Sequence, residues 1–296
     1  MSRILVLGLV VAAAGVSGGP GSRPLRADSN LVLIGATVVD GADRFVTGLR
    51  REDFRISEGG VEQRIVSLSS EDAPVSAVVV FDASGSMARA IPMASQALHQ
   101  FLEAANPADE FSVVTVRSRP ALSLGFVGDP RDVVAGLGEV RGAGETALFD
   151  SVYMALSQVR RAHNARKALL VISDGGDNHS RYTERELIDA LREADVKVYA
   201  IGLGDEQPEF SGEVLGALAD ATGGRYFEAW SAKDLPGIMK RIDIRSEYVL
   251  GYSPDPLKAD GKYHRVELSL TRQARARHLH AFWRRGYYAP SLLAAR

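Results

Sequence analysis

The sequence predicts an α/β fold: a doubly wound, mostly parallel sheet with a small flanking β domain that is built from both termini. Between residues 75 and 245, short apolar runs alternate with stretches of helical periodicity, as they do in βαβ units. The apolar runs are nearly continuous, which is typical of strands that are covered on both faces of a parallel sheet. Outside this region, short alternating segments are separated by Gly, Pro and Asp, which indicates antiparallel strands.

The central elements follow from their periodicity. Four apolar runs are predicted strands: residues 77–81, 111–116, 168–173 and 196–203. Four segments are predicted helices: residues 91–105, 147–161, 184–194 and 231–245. Thr183 and Glu186 form the capping-box pattern that opens the third of these helices, and Ser231 is the predicted N-cap of the fourth.

Both termini contribute predicted strands. On the N-terminal side they are residues 31–39, 53–57 and 61–68, with a hairpin turn at Gly59-Gly60. On the C-terminal side they are residues 247–252, 264–270 and 277–282. Because neither flank has enough strands to bury a good core alone, we expect residues 31–73 and 246–290 to pair beside a central domain of residues 74–245.

The first residues are predicted to be a secretory signal peptide, residues 1–19, followed by a linker, residues 20–30. Arg3 precedes a short apolar run, which ends in small residues. A membrane-spanning helix requires about 20 apolar residues, and this run is shorter. We therefore expect no transmembrane segment after signal cleavage, and an exported protein that is periplasmic or extracellular.

The composition excludes several classes of function. The 296 residues include no Cys, so there is no disulfide framework, thiolate zinc site or cysteine nucleophile. Lys and Arg number 35 against 37 Asp and Glu, a formal net charge of −2. This balance argues against nucleic acid as a partner.

Polar residues follow the predicted strands at three places. Asp82, Ser84 and Ser86 come directly after the run at residues 77–81, Thr146 lies in a Gly-rich loop before a helix, and Asp174 ends the run at residues 168–173. In open α/β sheets, ligands bind at the carboxyl ends of the strands, so these loops are expected to converge there. Carboxylate and hydroxyl oxygens in an open, water-completed octahedron suit Mg²⁺, with Mn²⁺ as the next choice.

This pattern resembles the von Willebrand factor A domain with a complete metal-ion-dependent adhesion site. The resemblance covers approximately residues 75–245 in order and spacing, through the D-x-S-x-S motif at Asp82, the loop threonine Thr146 and the S-D-G sequence at Asp174. The flanks resemble exported, VWFA-related proteins of the acidobacterial type. The segments that carry this second likeness are EDFRI at residues 52–56, EYVLGY at residues 247–252 and RRGYY at residues 284–288.

The resemblance implies a role for each residue. Ser84 and Ser86 would bind the metal directly, and Thr146 would do so when a ligand is engaged. Asp82 and Asp174 would hold ordered waters and orient the serines. The open coordination position would then attract an Asp or Glu carboxylate of a protein partner, so the chain is expected to be an adhesion or interaction module.

Two alternatives remain open from the sequence. The metal could merely brace the loops while the β domain binds partners. A metal-dependent hydrolase is the weaker alternative, because Ser84 stands where a haloacid-dehalogenase-like phosphatase has its second aspartate. The sequence also contains no Walker A or H-E-x-x-H motif, and Asp82 replaces the first glycine of a G-x-S-x-G elbow. We therefore expect that the protein is not an enzyme.

Overall fold

The fold was analysed in a computed structural model that describes residues 31–204, 211–242, 244, 246–254 and 258–290. The predicted signal peptide and linker lie outside the described residues. The N-terminal flank forms strands β1 (Val32–Val39), β2 (Phe54–Glu58), β3 (Val61–Gln63) and β4 (Ile65–Asp72). A short 3₁₀ turn at Arg51–Asp53 precedes β2. Within the described residues, no helix has the length and apolar character needed to span a membrane.

The central region alternates strands with helices. Its strands are β5 (Val75–Asp82), β6 (Glu110–Val116), β7 (Ala121–Val127), β8 (Arg166–Ser173), β9 (Lys197–Leu203) and β10 (Arg225–Ala229). Its helices are α1 (Ile91–Glu103), α2 (Pro130–Leu137), α3 (Leu148–Val159), α4 (Glu184–Ala194), α5 (Gly212–Thr222) and α6 (Leu235–Met239). The C-terminal flank contributes β11 (Ser246–Tyr252), β12 (Tyr263–Leu270), α7 (Arg272–Arg275), β13 (His280–Trp283) and β14 (Gly286–Tyr288).

The central strands form one sheet in the order β10-β9-β8-β5-β6-β7. All neighbours are parallel except β7, which lies antiparallel to β6 at the edge. Alternate residues of β5 serve two cores: Val79 and Phe81 pack with α1 and α6, whereas Val78 and Val80 pack with α3, α4 and α5. Burial on both faces explains why β5 is apolar along nearly its whole length. The predicted fold class, a doubly wound and mostly parallel sheet, is confirmed.

The strands of the two flanks combine into a β-sandwich. One sheet has the order β13-β1-β11-β4 and the other has the order β14-β12-β2-β3, and every pairing is antiparallel. Ile34, Tyr248 and Leu250 of the first sheet pack with Ile56 and Leu268 of the second in one buried core. Residues from both ends of the chain are thus needed to form this core.

Three sequence predictions were wrong in detail. Among the described residues of the predicted helix 231–245, the helix is α6. It begins after Asp234, which replaces Ser231 as the N-cap, because the Asp234 carboxylate accepts hydrogen bonds from the backbone N–H groups of Trp230 and Ser231 in a preceding turn. The predicted strand 61–68 is interrupted at Arg64, so that β3 and β4 enter different sheets. The predicted strand 277–282 starts only at His280, since α7 and a residue of positive φ, His278 (φ 55°), come before it.

The sandwich lies at the amino ends of the central strands. Glu247 of β11 contacts Lys197 at the start of β9 and Arg166 at the start of β8. Asp43, in the loop after β1, contacts Arg225 at the start of β10. The loops that carry the predicted site lie at the other side of the sheet, where the parallel strands end.

Candidate metal centre

Three loops meet where the parallel strands of the central sheet end, a side of the sheet that we call the carboxyl edge. Asp82 is the last residue of β5, and Ser84 and Ser86 follow it. Since β5 and β8 are parallel neighbours with Phe81 opposite Ile172, the chain after β8 leaves the sheet beside the chain after β5. The loop of residues 142–147, which precedes α3, lies between them in contact with both.

Backbone hydrogen bonds join the middle loop to the other two. Ala143 N–H donates to the Ala83 carbonyl at 3.0 Å, and Gly85 N–H donates to the Gly144 carbonyl at 2.9 Å. On its other side, the Thr146 carbonyl accepts from the N–H groups of Asn178 and His179, each at 3.0 Å. In addition, the Asn178 side-chain oxygen accepts a hydrogen bond from Thr146 N–H at 2.9 Å. The three loops thus form one connected structure.

Glycines permit two close approaches here, one between the first two loops and one between the third loop and Ser211. A Cβ atom on Gly142 would lie 2.5 Å from the Ala88 Cα and 2.7 Å from the Ser84 carbonyl oxygen, so only glycine fits between the first two loops. Gly175 has φ of +82°, and a Cβ there would lie 2.3 Å from the Ser211 carbonyl oxygen. The local sequence therefore determines how the loops approach each other.

Asp82 is fully buried and holds the first and third loops together. Its Oδ1 accepts from Ser84 N–H at 2.9 Å, and its Oδ2 accepts from the Ser173 hydroxyl at 2.5 Å. Burial raises the pKa of Asp82 to about 6, since hydrogen bonds from Ser173 and Ser84 offset the desolvation only in part and nearby Asp174 adds repulsion. Within the described part of the chain, the partners of this carboxylate are hydrogen-bond donors and include no cation.

The two serine hydroxyls have the spacing of neighbouring metal ligands. Ser84 Oγ and Ser86 Oγ are 3.1 Å apart, and Ser84 is fully buried. Oxygen ligands of Mg²⁺ lie about 2.0–2.1 Å from the ion in an octahedron, which puts adjacent ligands roughly 3 Å apart. The serine pair therefore fits two adjacent positions of an octahedral Mg²⁺ site.

Thr146 and Asp174 belong to the same region, and both are nearly buried, at 4% and 6% exposure. Thr146 and Ser86 line a cleft of about 490 Å³, to which Gly175, Gly176 and Asp177 also contribute. Asp174 precedes Gly175 in the sequence, and its Oδ1 accepts a hydrogen bond from Gly176 N–H at 3.0 Å. The structure thus brings Ser86 and Thr146 to one cleft, with the Asp82 and Asp174 carboxylates buried beside it.

This donor set is unusual because most of it is neutral. No group of three or more His, Asp or Glu side chains in the described ranges is arranged to hold a metal ion. At the candidate centre, hydroxyls of Ser84, Ser86 and Thr146 accompany two carboxylates. Neutral donors leave much of the charge of a bound cation available to an anion from outside.

Sequence reasoning did not assign three residues that organise the site. Ser173 donates to Asp82 and accepts from Gly175 N–H at 2.9 Å, which couples the ends of β5 and β8. Asn178 positions Thr146, and Asp177 accepts from Phe149 N–H at the start of α3 at 2.9 Å. In the sequence, Ser173 could have been noticed as a hydroxyl residue directly before Asp174. Asp177 and Asn178 are marked only as an Asp-Asn pair in a loop.

Comparison with known proteins identifies the central region. Residues 77–176 match the sequence model of the von Willebrand factor type A domain, and this range includes all five predicted site residues. The chain therefore contains a von Willebrand factor type A domain. No curated protein matches the chain by sequence.

Solved structures agree on the fold. A von Willebrand factor type A protein from Catenulispora acidiphila has 12% identity and a TM-score of 0.50, over 90% of this chain and 76% of that one. Proximal thread matrix protein 1 from the mussel byssus has 18% identity and a TM-score of 0.51, over 72% of this chain and 50% of that one. Another structure of the mussel protein, described as having a zinc-occupied MIDAS motif, has 19% identity and a TM-score of 0.51, over 61% and 49%. This chain thus spans about half the length of the mussel protein chains.

Proposed function

We propose that this protein is a divalent-cation-dependent protein-binding module. In this proposal, Ser84, Ser86 and Thr146 hold Mg²⁺ or Mn²⁺ directly, and Asp82 and Asp174 act through ordered water. The observation that carries the proposal is the buried Asp82 carboxylate, which has no cationic partner among the described residues and lies beside two hydroxyls 3.1 Å apart. When bound, the cation supplies a Lewis-acidic position that accepts one carboxylate oxygen.

The chemistry of the donor set favours an acidic partner. Ser84, Ser86 and Thr146 contribute no negative charge, so the ion retains its attraction for an Asp or Glu side chain from outside. The mussel protein with a zinc-occupied MIDAS motif shares the fold of this chain, which supports testing this chain for a metal site. The oxygen donors themselves favour Mg²⁺ or Mn²⁺ over zinc, which prefers nitrogen and sulfur ligands.

The surroundings of Ser84 favour binding over nucleophilic catalysis. Its hydroxyl contacts the Ser86 hydroxyl and the Asp82 carboxylate, and within the described residues no histidine hydrogen-bonds to it. Export to the periplasm or the cell exterior, as the N-terminal sequence predicts, would expose the cleft to partner proteins there. The net charge of −2 fits a protein partner better than a nucleic acid.

Metal binding is tested by calorimetric titration of Mg²⁺ and Mn²⁺ into the wild type, the Ser84→Ala variant and the Ser157→Ala control, whose serine lies on the exposed surface of α3. We expect the Ser84→Ala variant to lose at least about tenfold in metal affinity, as metal-site substitutions commonly do. The Ser157→Ala control should bind as the wild type does. Equal affinities in all three proteins would contradict the proposed site.

Partner binding is tested with a peptide that carries a single Asp, added in Mg²⁺ or in EDTA. Mg²⁺-dependent binding that is lost in the Ser84→Ala variant would support the proposal. If EDTA lowers the free energy of unfolding while peptide binding is the same in both solutions, the metal only braces the loops.

A further inference from the structure

Three exposed arginines lie on the loops around the candidate metal centre. Arg89 ends the 3₁₀ turn Ser86–Arg89, and Arg117 and Arg119 follow β6 at the same edge of the sheet. We call Arg89, Arg117 and Arg119 the arginine rim. All three belong to loops that leave the carboxyl ends of neighbouring strands, β5 and β6.

Hydrogen bonds and contacts place the arginine rim against the loop that carries Thr146. The Arg117 carbonyl accepts from Ala147 N–H at 3.1 Å, and the Ser118 hydroxyl accepts from Glu145 N–H at 2.9 Å. On the other side, Ala88 approaches Gly142 so closely that a Cβ on the glycine would lie 2.5 Å from the Ala88 Cα. The segments that carry the three arginines are therefore joined directly to the loop that contributes Gly144 and Thr146 to the cleft.

The charges of the arginine rim are not neutralised within the described part of the chain. Other exposed arginines pair with nearby carboxylates, as Arg131 does with Asp129 at 2.6 Å and Arg181 does with Asp150 at 3.1 Å. No carboxylate lies within ion-pair distance of any arginine of the rim among the described residues. In the loop before α3, Glu139 pairs with Arg141. Glu145 in the same loop is exposed and has a charge opposite to that of the arginine rim.

We propose that the arginine rim extends the binding surface of the metal centre to a second set of carboxylates. This inference rests on the proposed function: one carboxylate of the partner binds the cation, and further carboxylates of the same segment pair with the rim. The partner segment is therefore an acidic stretch of protein and carries more than a single Asp or Glu. Guanidinium groups match carboxylates through paired N–H donors, and outward-facing arginines accelerate the encounter with an oppositely charged partner.

The test uses two synthetic peptides of equal length, one with a single Asp and one with three additional acidic residues. Both are titrated in millimolar Mg²⁺ and in EDTA into the wild type and into an Arg117→Gln, Arg119→Gln double variant. The matched control is the Arg272→Gln, Arg277→Gln double variant, which removes two exposed arginines from the β-sandwich. All four side chains are exposed, so each variant should fold.

We expect the wild type and the control to prefer the multiply acidic peptide by roughly three- to tenfold, as two or three exposed ion pairs would provide. The Arg117→Gln, Arg119→Gln variant should lose this preference and show a slower association rate with a weaker dependence on salt. Its Mg²⁺-dependent binding of the single-Asp peptide should be unchanged, because the metal ligands are intact.

The outcomes separate this inference from the proposed function. Mg²⁺-dependent binding of both peptides with equal affinity would overturn the role of the arginine rim and leave the proposed function standing. Binding of neither peptide in Mg²⁺, or equal binding in EDTA, would overturn both. Stronger arginine-dependent binding of single-stranded DNA, or of vesicles that contain an anionic lipid, would overturn the assignment of an acidic protein segment.

Discussion

The two ends of the central sheet differ in whether a carboxylate with little solvent exposure contacts a cationic side chain. At the amino edge, the Glu247 carboxylate lies 2.5 Å from the Lys197 ammonium and 3.6 Å from the Arg166 guanidinium. Lys197 also donates to the Thr37 hydroxyl at 3.2 Å. At the carboxyl edge, Asp82 receives only hydrogen bonds from neutral groups in the described structure.

The pKa shifts follow the same division. Burial alone would lower the pKa of Lys197, but the neighbouring Glu247 outweighs burial and raises it, so the ammonium remains charged. Burial raises the pKa of Asp82, and among the residues that the structure describes no cationic side chain contacts it to reverse the shift. The Glu247 carboxylate thus has its cationic partner inside the protein, whereas the partner of Asp82 in the proposed function is an added cation.

The largest expected effect concerns the amino edge. Replacing Glu247 with Ala removes the carboxylate 2.5 Å from the largely buried Lys197 ammonium, and breaking a buried pair in this way costs about 3–5 kcal/mol. We expect a decrease of that size in the free energy of unfolding, measured by urea denaturation. The stabilisation that Mg²⁺ adds should be the same as in the wild type, because the substitution is at the other end of the sheet. A loss below about 1 kcal/mol would show that this ion network is as weak as an exposed one.

The next effect concerns the carboxyl edge. Metal at 100 times its dissociation constant should stabilise the wild type by about 2.7 kcal/mol. The Asp82→Asn variant should gain no such stabilisation, and its metal-free form should be no less stable than the wild type, since the substitution removes a buried charge. Thermal unfolding with and without Mg²⁺ measures both quantities, with the exposed Asp189→Asn substitution as the control. An Mg²⁺ response that survives in Asp82→Asn would mean that the ion binds elsewhere.

The central sheet could be predicted because its signals are local. The apolar runs of β5 and β8 record burial on both faces, and the capping box at Thr183 and Glu186 is present in the structure. The placement of two candidate site residues follows from topology, because Asp82 ends β5 and Asp174 directly follows its parallel neighbour β8. Their role in metal binding stays a prediction.

Other elements gave weaker signals. β7 was not predicted because it is an edge strand, and its half-exposed residues show no clear alternation. β10 and α5 were also not predicted, and α5 contains two glycines, Gly212 and Gly216, which weaken a helical pattern. The role of Ser173 depends on a contact with Asp82 across 91 residues of chain, which no local pattern reveals.

A smaller effect tests whether the loops at the carboxyl edge must pack closely. Replacing Gly142 with Ala puts a methyl group against the backbone of Ala88 and Ser84, so these loops must separate. We expect the Mg²⁺ affinity to fall roughly 10-fold or more, as when a supporting contact of a metal ligand is lost. The control is the Gly41→Ala variant, because a Cβ at Gly41 meets no atom within 4 Å. Equal Mg²⁺ affinities of the two variants would show that loop spacing does not govern the site.

The smallest effect returns to the amino edge, where Glu110 accepts from the Ser76 hydroxyl at 2.5 Å and from His163 N–H at 2.6 Å. Burial alone would raise the pKa of Glu110, but these hydrogen bonds outweigh it and hold the pKa below its usual range. A carboxyl group with a lowered pKa stabilises the fold above the ordinary value of about 4.3, and this contribution is lost as the pH falls below it.

We therefore expect the Glu110→Gln variant to be less stable than the wild type at pH 7, by up to about 1 kcal/mol as for a partly exposed pair. The difference should shrink as the pH falls below about 4.3, because the wild-type carboxyl group becomes protonated. Urea denaturation across this pH range, without metal, measures the difference. If the gap instead widened below about pH 4.3, the amino edge would not hold Glu110 in its charged form, and the contrast between the two ends of the sheet would fail at this residue.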